Sequence, residues 1–188
     1  MKVLFLTSAI IFLGYNLIWI ITLVKREALR GAIQKRNLEK VKRLAASGMN
    51  LNFTYTGYFG IGIGSPLSLT FTINDRSFDD VLIWYGASIS PKSIGNRGLL
   101  TSAVAGGNFE LIDLALASGH DIHLRPFPKS STPLARAIHR QSLPMARFLI
   151  SRGAGKEDLT TGDCRWHRMN RKPYCSLRNW ALKCLKTF

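Results

Sequence analysis

The chain contains two stretches of nearly the same pattern, and this repetition restricts its possible folds more than any other feature. NLEKVKRLAASGMNLN at 37–52 and NFELIDLALASGHDIH at 108–123 share an initial Asn, paired apolar residues and an Ala-Ser-Gly ending. The glycines that close such apolar runs, which we call the marker glycines, recur at similar intervals and are Gly48, Gly86, Gly119 and Gly153. A period of roughly twenty to fifty residues indicates tandem units that bury their apolar faces against one another.

A second recurring segment begins at one fixed distance before each marker glycine. Its four versions are EALRGAI from Glu27, SPLSLTF from Ser65, GLLTSAV from Gly98 and TPLARAI from Thr132. In the last version Thr132 is a suitable helix N-cap, and Pro133 suits the first helical position. A second helix is predicted to end at Gly153, in the left-handed conformation. Each unit is therefore predicted to be a pair of short helices.

The paired-helix unit resembles the ankyrin repeat, whose signature is a Thr-Pro-Leu-His turn entering a short helix, then a second helix and a Gly-Ala ending. The resemblance covers residues 27–155 and implies an all-α ankyrin-repeat solenoid of helix-turn-helix units with β-hairpin-like connections. Four degenerate copies are expected at 27–52, 65–90, 98–123 and 132–155. No copy has His at the fourth position of its opening, which implies below-average stability; the residues there are Arg30, Ser68, Thr101 and Ala135.

The N-terminal region is predicted to be a membrane anchor. Residues 3–24, VLFLTSAIIFLGYNLIWIITLV, carry no charged side chain. At about 1.5 Å rise per residue such a helix reaches about 33 Å, which matches the hydrocarbon core of a bilayer. We expect one transmembrane helix within 1–26, rather than a cleaved signal peptide, whose apolar run is shorter. The positive-inside rule favours repeats that lie in the cytoplasm, with a periplasmic or extracytoplasmic location as the alternative. Lys25 and Arg26, next to the anchor, are expected to contact anionic membrane lipids.

Residues 156–188 depart from the repeat pattern and form a basic tail. The apolar face of YCSLRNWALKCLKTF predicts an amphipathic helix, either a C-terminal capping helix on the last repeat or a basic helix lying on the membrane. Cys164 and Cys175 could form a disulfide in an oxidising compartment, whereas a cytoplasm would keep them reduced. Together with His167 and Cys184 they match no familiar zinc spacing, so no metal or cofactor is predicted.

The first connection, NFTYTGYFGIGIGSP at 52–66, is longer than the later ones. Its glycines do not follow the G-x-G-x-x-G spacing, so no nucleotide site is predicted. Its aromatic residues have two interpretations: a projecting finger whose glycines relieve crowding, or a cluster of exposed anchors for a partner. They are Phe53, Tyr55, Tyr58 and Phe59.

Charge and motif content favour a binding protein over an enzyme or a nucleic-acid-binding protein. The formal net charge is +15, but no nucleic-acid motif or aromatic stacking array accompanies the basic residues. No nucleophile or paired carboxylate is connected by a motif to His120, His123 or His139, which are predicted to be solvated or partner-facing. The charge instead predicts an acidic protein partner whose approach is steered electrostatically.

The ankyrin resemblance implies that the partner binds the concave face of the inner helices and the projecting connections. Transferred to the matching positions, the predicted partner-binding residues are Gln34, Lys35, Tyr55, Tyr58, Phe59, Thr72, Lys92, Arg97, Arg125, Phe127, Lys129, His139 and Arg140. Two roles stay open. One is a membrane-tethered adaptor with several partners; the other is a bacterial immunity protein that neutralises one cognate toxin, such as a lipase or nuclease.

Overall fold

The computed structural model of the chain consists mainly of short helices. It describes residues 2–56, 62–127, 130–155 and 158–159, and for residues 2–15, 56, 62 and 63 it describes the backbone alone. The helices in these ranges are α1 Lys2–Gln34, α2 Leu38–Ala46, α3 Pro66–Ile73, α4 Arg76–Trp84, α5 Leu99–Gly106, α6 Phe109–Ala117, α7 Pro133–His139 and α8 Leu143–Ser151. Two short strands, β1 Tyr55–Thr56 and β2 Gly62–Gly64, pair antiparallel in the first connection, and a 3-10 turn spans Ile94–Asn96.

The helices stack in pairs. The first members, α1, α3, α5 and α7, which we call the inner helices, pack against one another in chain order. The second members are the outer helices, of which α2 packs against α4. Helices α6 and α8 are joined by the rings of Phe109 and Phe148, whose centroids are 4.9 Å apart, and by an ion pair of 2.7 Å between Asp113 and Arg152. The predicted helical fold of ankyrin-like units is thus supported in its coarse form.

Polar side chains and proline determine where the helices begin. The N-caps Asn37, Asp75 and Asn108 of the outer helices accept hydrogen bonds from backbone N–H groups of the first turn. Ser65 and Thr132 do the same for α3 and α7, and a proline follows each of them. The N-cap predicted at Thr132 is confirmed, and each cap satisfies an N–H group that the helix itself cannot pair.

The marker glycines end the outer helices in the left-handed region. Their φ angles are 72° at Gly48, 94° at Gly86, 88° at Gly119 and 104° at Gly153. The conformation predicted for Gly153 is confirmed, and the other three copies share it. Because a β-carbon is strained at such φ values, this position favours glycine in every unit.

One continuous apolar core runs through all the helix pairs. Its largest fully buried side chains are Leu29, Ile33, Leu67, Phe71, Phe78, Leu82, Leu99, Leu111, Ile112, Leu134, Ile138 and Met145. They come from inner and outer helices of successive units. An isolated helix pair would leave part of this surface in water, so the units depend on their neighbours for stability.

The prediction of a membrane-spanning helix is wrong, and the prediction of a single-pass membrane location is wrong with it. No helix within the described residues is long and apolar enough to cross a membrane. Helix α1 does not end with its apolar stretch but passes through Lys25 and Arg26. The helix then continues to Gln34 with Leu29 and Ile33 in the core. The lipid contact expected at Lys25 and Arg26 depended on the anchor and is not supported.

Only Asp158 and Leu159 of residues 156–188 are described, and both are buried. The predicted capping helix, the disulfide between Cys164 and Cys175, and the rejected metal set with His167 and Cys184 lie outside the described residues.

Candidate functional site

Equivalent positions of the four inner helices form a repeated surface. We compare three positions of each unit that become equivalent when the units are aligned on their marker glycines. All of these residues except Ala105 are exposed or half-buried. We call this set the inner-helix surface: Gly31, Gln34, Lys35, Leu69, Thr72, Ile73, Ser102, Ala105, Gly106, Arg136, His139 and Arg140. Because the inner helices pack side by side in chain order, the set extends across all four units.

Two contacts hold the ends of neighbouring inner helices together. After α1, Arg36 adopts a left-handed backbone with φ 53°, and its guanidinium donates a hydrogen bond of 3.2 Å to the carbonyl oxygen of Ile73. On the other side of α3, Gly106 lies so near the carbonyl oxygen of Phe71 that a β-carbon would overlap it. Glycine therefore lets α5 approach α3 closely.

A buried amide organises the connection that carries two predicted basic residues, Lys92 and Arg97. Asn96 is 1% exposed, and its side-chain oxygen accepts a hydrogen bond of 2.7 Å from the hydroxyl of Ser65. Its amide nitrogen donates to two backbone carbonyls of the same connection. These three bonds fix the connection against the start of α3, so Lys92 and Arg97, both exposed, project from an ordered segment.

The last connection is held by ionic and hydrogen-bonding groups. The Nδ1 atom of His123 lies 2.9 Å from a carboxylate oxygen of Asp158, which is 5% exposed. The guanidinium of Arg125 donates to the carbonyl oxygens of Ser130 and Asp158, at 3.0 and 3.3 Å. Arg125, predicted as a partner-binding residue, thus joins the connection to the segment that follows α8.

Among the charged residues of the inner helices and the connections, bases outnumber acids. Helices α3, α5 and α7 contain no acidic residue, and in the connections 48–65, 86–98 and 119–132 the sequence has Asp121 alone. None of Lys35, Lys92, Arg97 and Arg140 forms an ion pair with an acidic side chain of the described residues. On the outer helices three acids are paired with bases: Glu39 with Lys42, Asp80 with Arg76 and Asp113 with Arg152.

Two arginines one turn apart raise the positive charge at the end of α7. Partial burial, and the neighbouring charge of Arg140, hold the pKa of Arg136 below its ordinary value. Arg136 keeps its positive charge at neutral pH, since arginine does not deprotonate in proteins. Like charges at this spacing repel, so an anionic group that bound both would relieve the repulsion.

Most predicted site residues occupy accessible positions. The exposed ones are Gln34, Lys35, Thr72, Lys92, Arg97 and Arg140, and the half-buried ones are Arg125, Phe127 and His139. Tyr58, Phe59 and Lys129 lie outside the described residues. Whether any of these residues binds a partner stays a prediction.

The interpretation of the first connection as a set of exposed aromatic anchors is wrong for Phe53 and Tyr55. Tyr55 is 4% exposed, and its hydroxyl donates to the carbonyl oxygen of Arg26 at 3.2 Å. Its ring meets that of Phe53 edge to face at 4.9 Å, and the guanidinium of Arg26 lies 4.5 Å from the Phe53 ring centroid. Burial raises the pKa of the Tyr55 hydroxyl. This part of the connection packs against α1 because its aromatic rings gain more by burial than by exposure.

His120 is also placed differently from the prediction. Expected to be solvated or partner-facing, it is 5% exposed, and its Nε2 atom donates to the carbonyl oxygen of Ile89 at 2.8 Å. It stands directly after Gly119, where the second and fourth units have Ala87 and Ala154. The imidazole therefore links two successive connections.

Sequence reasoning missed three residues of this region. Arg136 lies one helical turn before Arg140, which was predicted, so the helical spacing of α7 would have indicated it. Arg36 carries no local signal, since its bond to the Ile73 carbonyl exists only in the folded chain. Trp84, at the end of α4, is 84% exposed and is a further accessible aromatic side chain.

The described part of the chain contains no cluster of His, Cys, Asp or Glu that could hold a metal ion. The inner-helix surface presents cations and uncharged side chains from packed helices.

No family model matches the chain. A putative ankyrin repeat protein of fowlpox virus (strain NVSL) is 31% identical over 129 residues, which is 69% of this chain and 30% of that protein. The chain therefore spans less than a third of the length of this curated relative. Together with the stacked helix pairs, the similarity identifies the repeats of this chain as ankyrin-like.

Proposed function

We propose that the chain is a protein-interaction repeat protein that binds an acidic protein partner through the inner-helix surface and the adjoining connections. The similarity to an ankyrin repeat protein suggests a non-catalytic interaction domain. The observation that carries the proposal is the distribution of charge: α3, α5 and α7 contain no acid, and three acids of the outer helices are paired with bases.

The unpaired cations favour an acidic partner for two physical reasons. Their combined field attracts an oppositely charged surface over about 8 to 10 Å at moderate salt and raises the association rate. Arg136 and Arg140 repel each other in the free protein, and a bound carboxylate removes that repulsion. The partner-binding role is thus assigned to Lys35, Lys92, Arg97, Arg136 and Arg140, with Thr72 and Gln34 as polar neighbours.

A charge-reversal pair with a matched control tests the proposal. Arg97→Glu combined with Arg140→Glu changes the charge of the proposed surface, whereas Lys40→Glu combined with Arg43→Glu makes the same change on the exposed side of α2. Proteins captured by the wild-type chain at low salt should be lost from the first variant and retained by the second. Equal capture by both variants would show that the inner helices are not the site.

The number of captured proteins separates the two roles that the sequence leaves open. An adaptor should retain several partners of moderate affinity, each sensitive to salt because exposed charges carry much of the attraction. An immunity protein should retain one partner, whose complex survives washing at high salt. We favour the adaptor, because the cations assigned to the surface are all exposed; they are Lys35, Lys92, Arg97, Arg136 and Arg140.

A further inference from the structure

The inner-helix surface has two basic ends and an uncharged centre. At the first end, Lys35 and Arg36 are exposed just after α1. At the other end, Arg136 and Arg140 are exposed on and just after α7. Between them α3 and α5 contribute uncharged residues alone, among which Leu69 and Ile73 are half-buried apolar side chains. The positive charge is therefore divided into two groups.

This division results from residue type and not from a difference in geometry. When the units are aligned on their marker glycines, one position is occupied in turn by Lys35, Ile73, Gly106 and Arg140. The contacts of Arg36 with Ile73 and of Gly106 with Phe71 show that the ends of α1, α3 and α5 adjoin one another, and α7 packs against α5. A segment bound across the units would thus meet a cation, two uncharged positions and a cation.

The dimensions of the surface favour an extended segment. Neighbouring packed helices are about 8 to 10 Å apart, so three steps from α1 to α7 separate the basic ends by about 24 to 30 Å. Along each inner helix the surface covers four residue steps, or about 6 Å, which is narrower than an α-helix of about 10 Å diameter. An extended chain rises about 3.3 Å per residue and crosses the surface with about seven to nine residues.

We propose that the inner-helix surface binds an extended protein segment that has acidic side chains at both ends and uncharged, partly apolar residues between them. The proposal rests on the proposed function and adds to it the arrangement of charge in the partner. Acidic side chains reach Lys35 and Arg36 at one end and Arg136 and Arg140 at the other. The central residues of the segment lie over Leu69, Ile73 and the shallow region that Gly106 leaves open.

Two synthetic peptides of identical composition test the arrangement by their binding to the full chain. Each is slightly longer than the about seven to nine residues that cross the surface. In the split peptide two glutamates stand at each end of a Leu, Thr and Ala centre; in the clustered peptide the four glutamates are contiguous. Fluorescence polarisation should show about tenfold tighter binding of the split peptide, since exposed charge pairs contribute modestly and add up. Equal affinity for the two peptides would overturn the split-charge proposal and leave an acidic partner possible.

Charge exchange between chain and peptide locates the two ends. The variant Arg136→Glu with Arg140→Glu should lose about tenfold in affinity for the split peptide. A peptide with lysines at one end and glutamates at the other should bind this variant more tightly than it binds the wild-type chain. Unchanged binding of the split peptide to the variant would overturn the placement of the acidic end at α7.

Selection from a random phage-displayed peptide library on the immobilised full chain distinguishes failure of this inference from failure of the proposed function. Two acidic positions about seven to nine residues apart in the enriched sequences would support the inference. Enrichment of contiguous acidic sequences would refute the inference alone. Enriched sequences without acidic residues, or no enrichment at all, would count against both proposals.

Discussion

Replacing Asp79 with valine is expected to stabilise the protein more at pH 7 than at pH 4, by a difference of up to about 3 kcal/mol. Asp79 lies in α4 and is 0% exposed. In the alignment on the marker glycines, the same position holds Val41, Ile112 and Ala146 in the other units, all of them buried. The second unit thus places a carboxyl group where the others place an apolar side chain.

The surroundings of Asp79 explain the expected magnitude. Neither carboxylate oxygen has a hydrogen-bond partner within the described residues, and the nearby hydroxyl of Thr70 donates to the carbonyl oxygen of Leu67. Burial raises the pKa of Asp79 from 3.8 to about 6, although the positive charge of Arg76 opposes part of this rise. At about 1.4 kcal/mol per pKa unit, this difference corresponds to about 3 kcal/mol.

The direction of the pH effect follows from the raised pKa. Between about pH 4 and pH 6 the folded protein holds a proton on Asp79 that the unfolded chain has released, so the free energy of unfolding falls as the pH rises through this range. Above about pH 6 the buried carboxylate is charged, and its full destabilisation is present. Valine removes this contribution, so the stabilisation by Asp79→Val should grow as the pH rises from 4 to 7.

Urea unfolding followed by circular dichroism at several pH values from 4 to 7 measures this difference. Asp80→Asn is the control, because Asp80 is an exposed neighbour paired with Arg76 at 2.9 Å, and such pairs contribute less than about 1 kcal/mol. The reasoning is refuted if Asp79→Val stabilises equally at pH 4 and pH 7, or if it destabilises the protein at pH 7. Asp79→Asn should also remove the pH dependence, although its buried amide limits the gain.

Four further substitutions probe the inner-helix region by thermal or urea unfolding. Gly106→Ala should cost about 1 to 3 kcal/mol, since a β-carbon there overlaps a backbone carbonyl of α3, whereas Gly31→Ala, in open space within α1, should gain about 0.5 to 1 kcal/mol. Asn96→Ala should cost about 1 to 3 kcal/mol, because it leaves buried polar partners unsatisfied. Arg136→Glu should stabilise the free protein by about 0.3 to 0.5 kcal/mol through a pair with Arg140, yet weaken binding of the split peptide; a loss of stability would instead show a structural role for Arg136.

Local rules made the repeat units predictable from the sequence. Glycine after an apolar run ends a helix in the left-handed conformation, and Gly48, Gly86, Gly119 and Gly153 all do so. Thr132 with Pro133 begins α7 as expected. These features depend on a few neighbouring residues, so each copy of the repeat carries its own information.

Features that depend on contacts between units were not predictable in the same way. The aromatic pattern of the first connection does not reveal whether the segment projects or packs on α1, and the structure buries Tyr55 there. No proline or glycine separates the apolar stretch of α1 from the first repeat, and the helix continues to Gln34. Arg36 ends up beside α3 only after the units have stacked.

Asp79 illustrates a signal that was present in the sequence but needed the repeat register to be recognised. Within RSFDDVLIW the two adjacent aspartates look alike, and either could face solvent on an amphipathic helix. Aligning the units on their marker glycines assigns Asp79 to the position of Val41 and Ile112, and Asp80 to an exposed position. The repeat itself therefore supplies the comparison that distinguishes a buried carboxyl from a solvated one.

The buried carboxyl and the proposed binding surface meet in the second unit. In a repeat array each unit contacts only its neighbours, so the destabilisation by Asp79 acts mainly on α4 and on the helices packed against it, α2 and α3. Helix α3 carries half of the uncharged centre between the basic ends. Local opening of this unit would separate Lys35 from Arg140, whereas a segment bound at both ends would hold the four units together. Binding of the split peptide should therefore slow amide hydrogen exchange in α3 and α4 more than in α8, because a ligand that bridges the weakest unit opposes its opening.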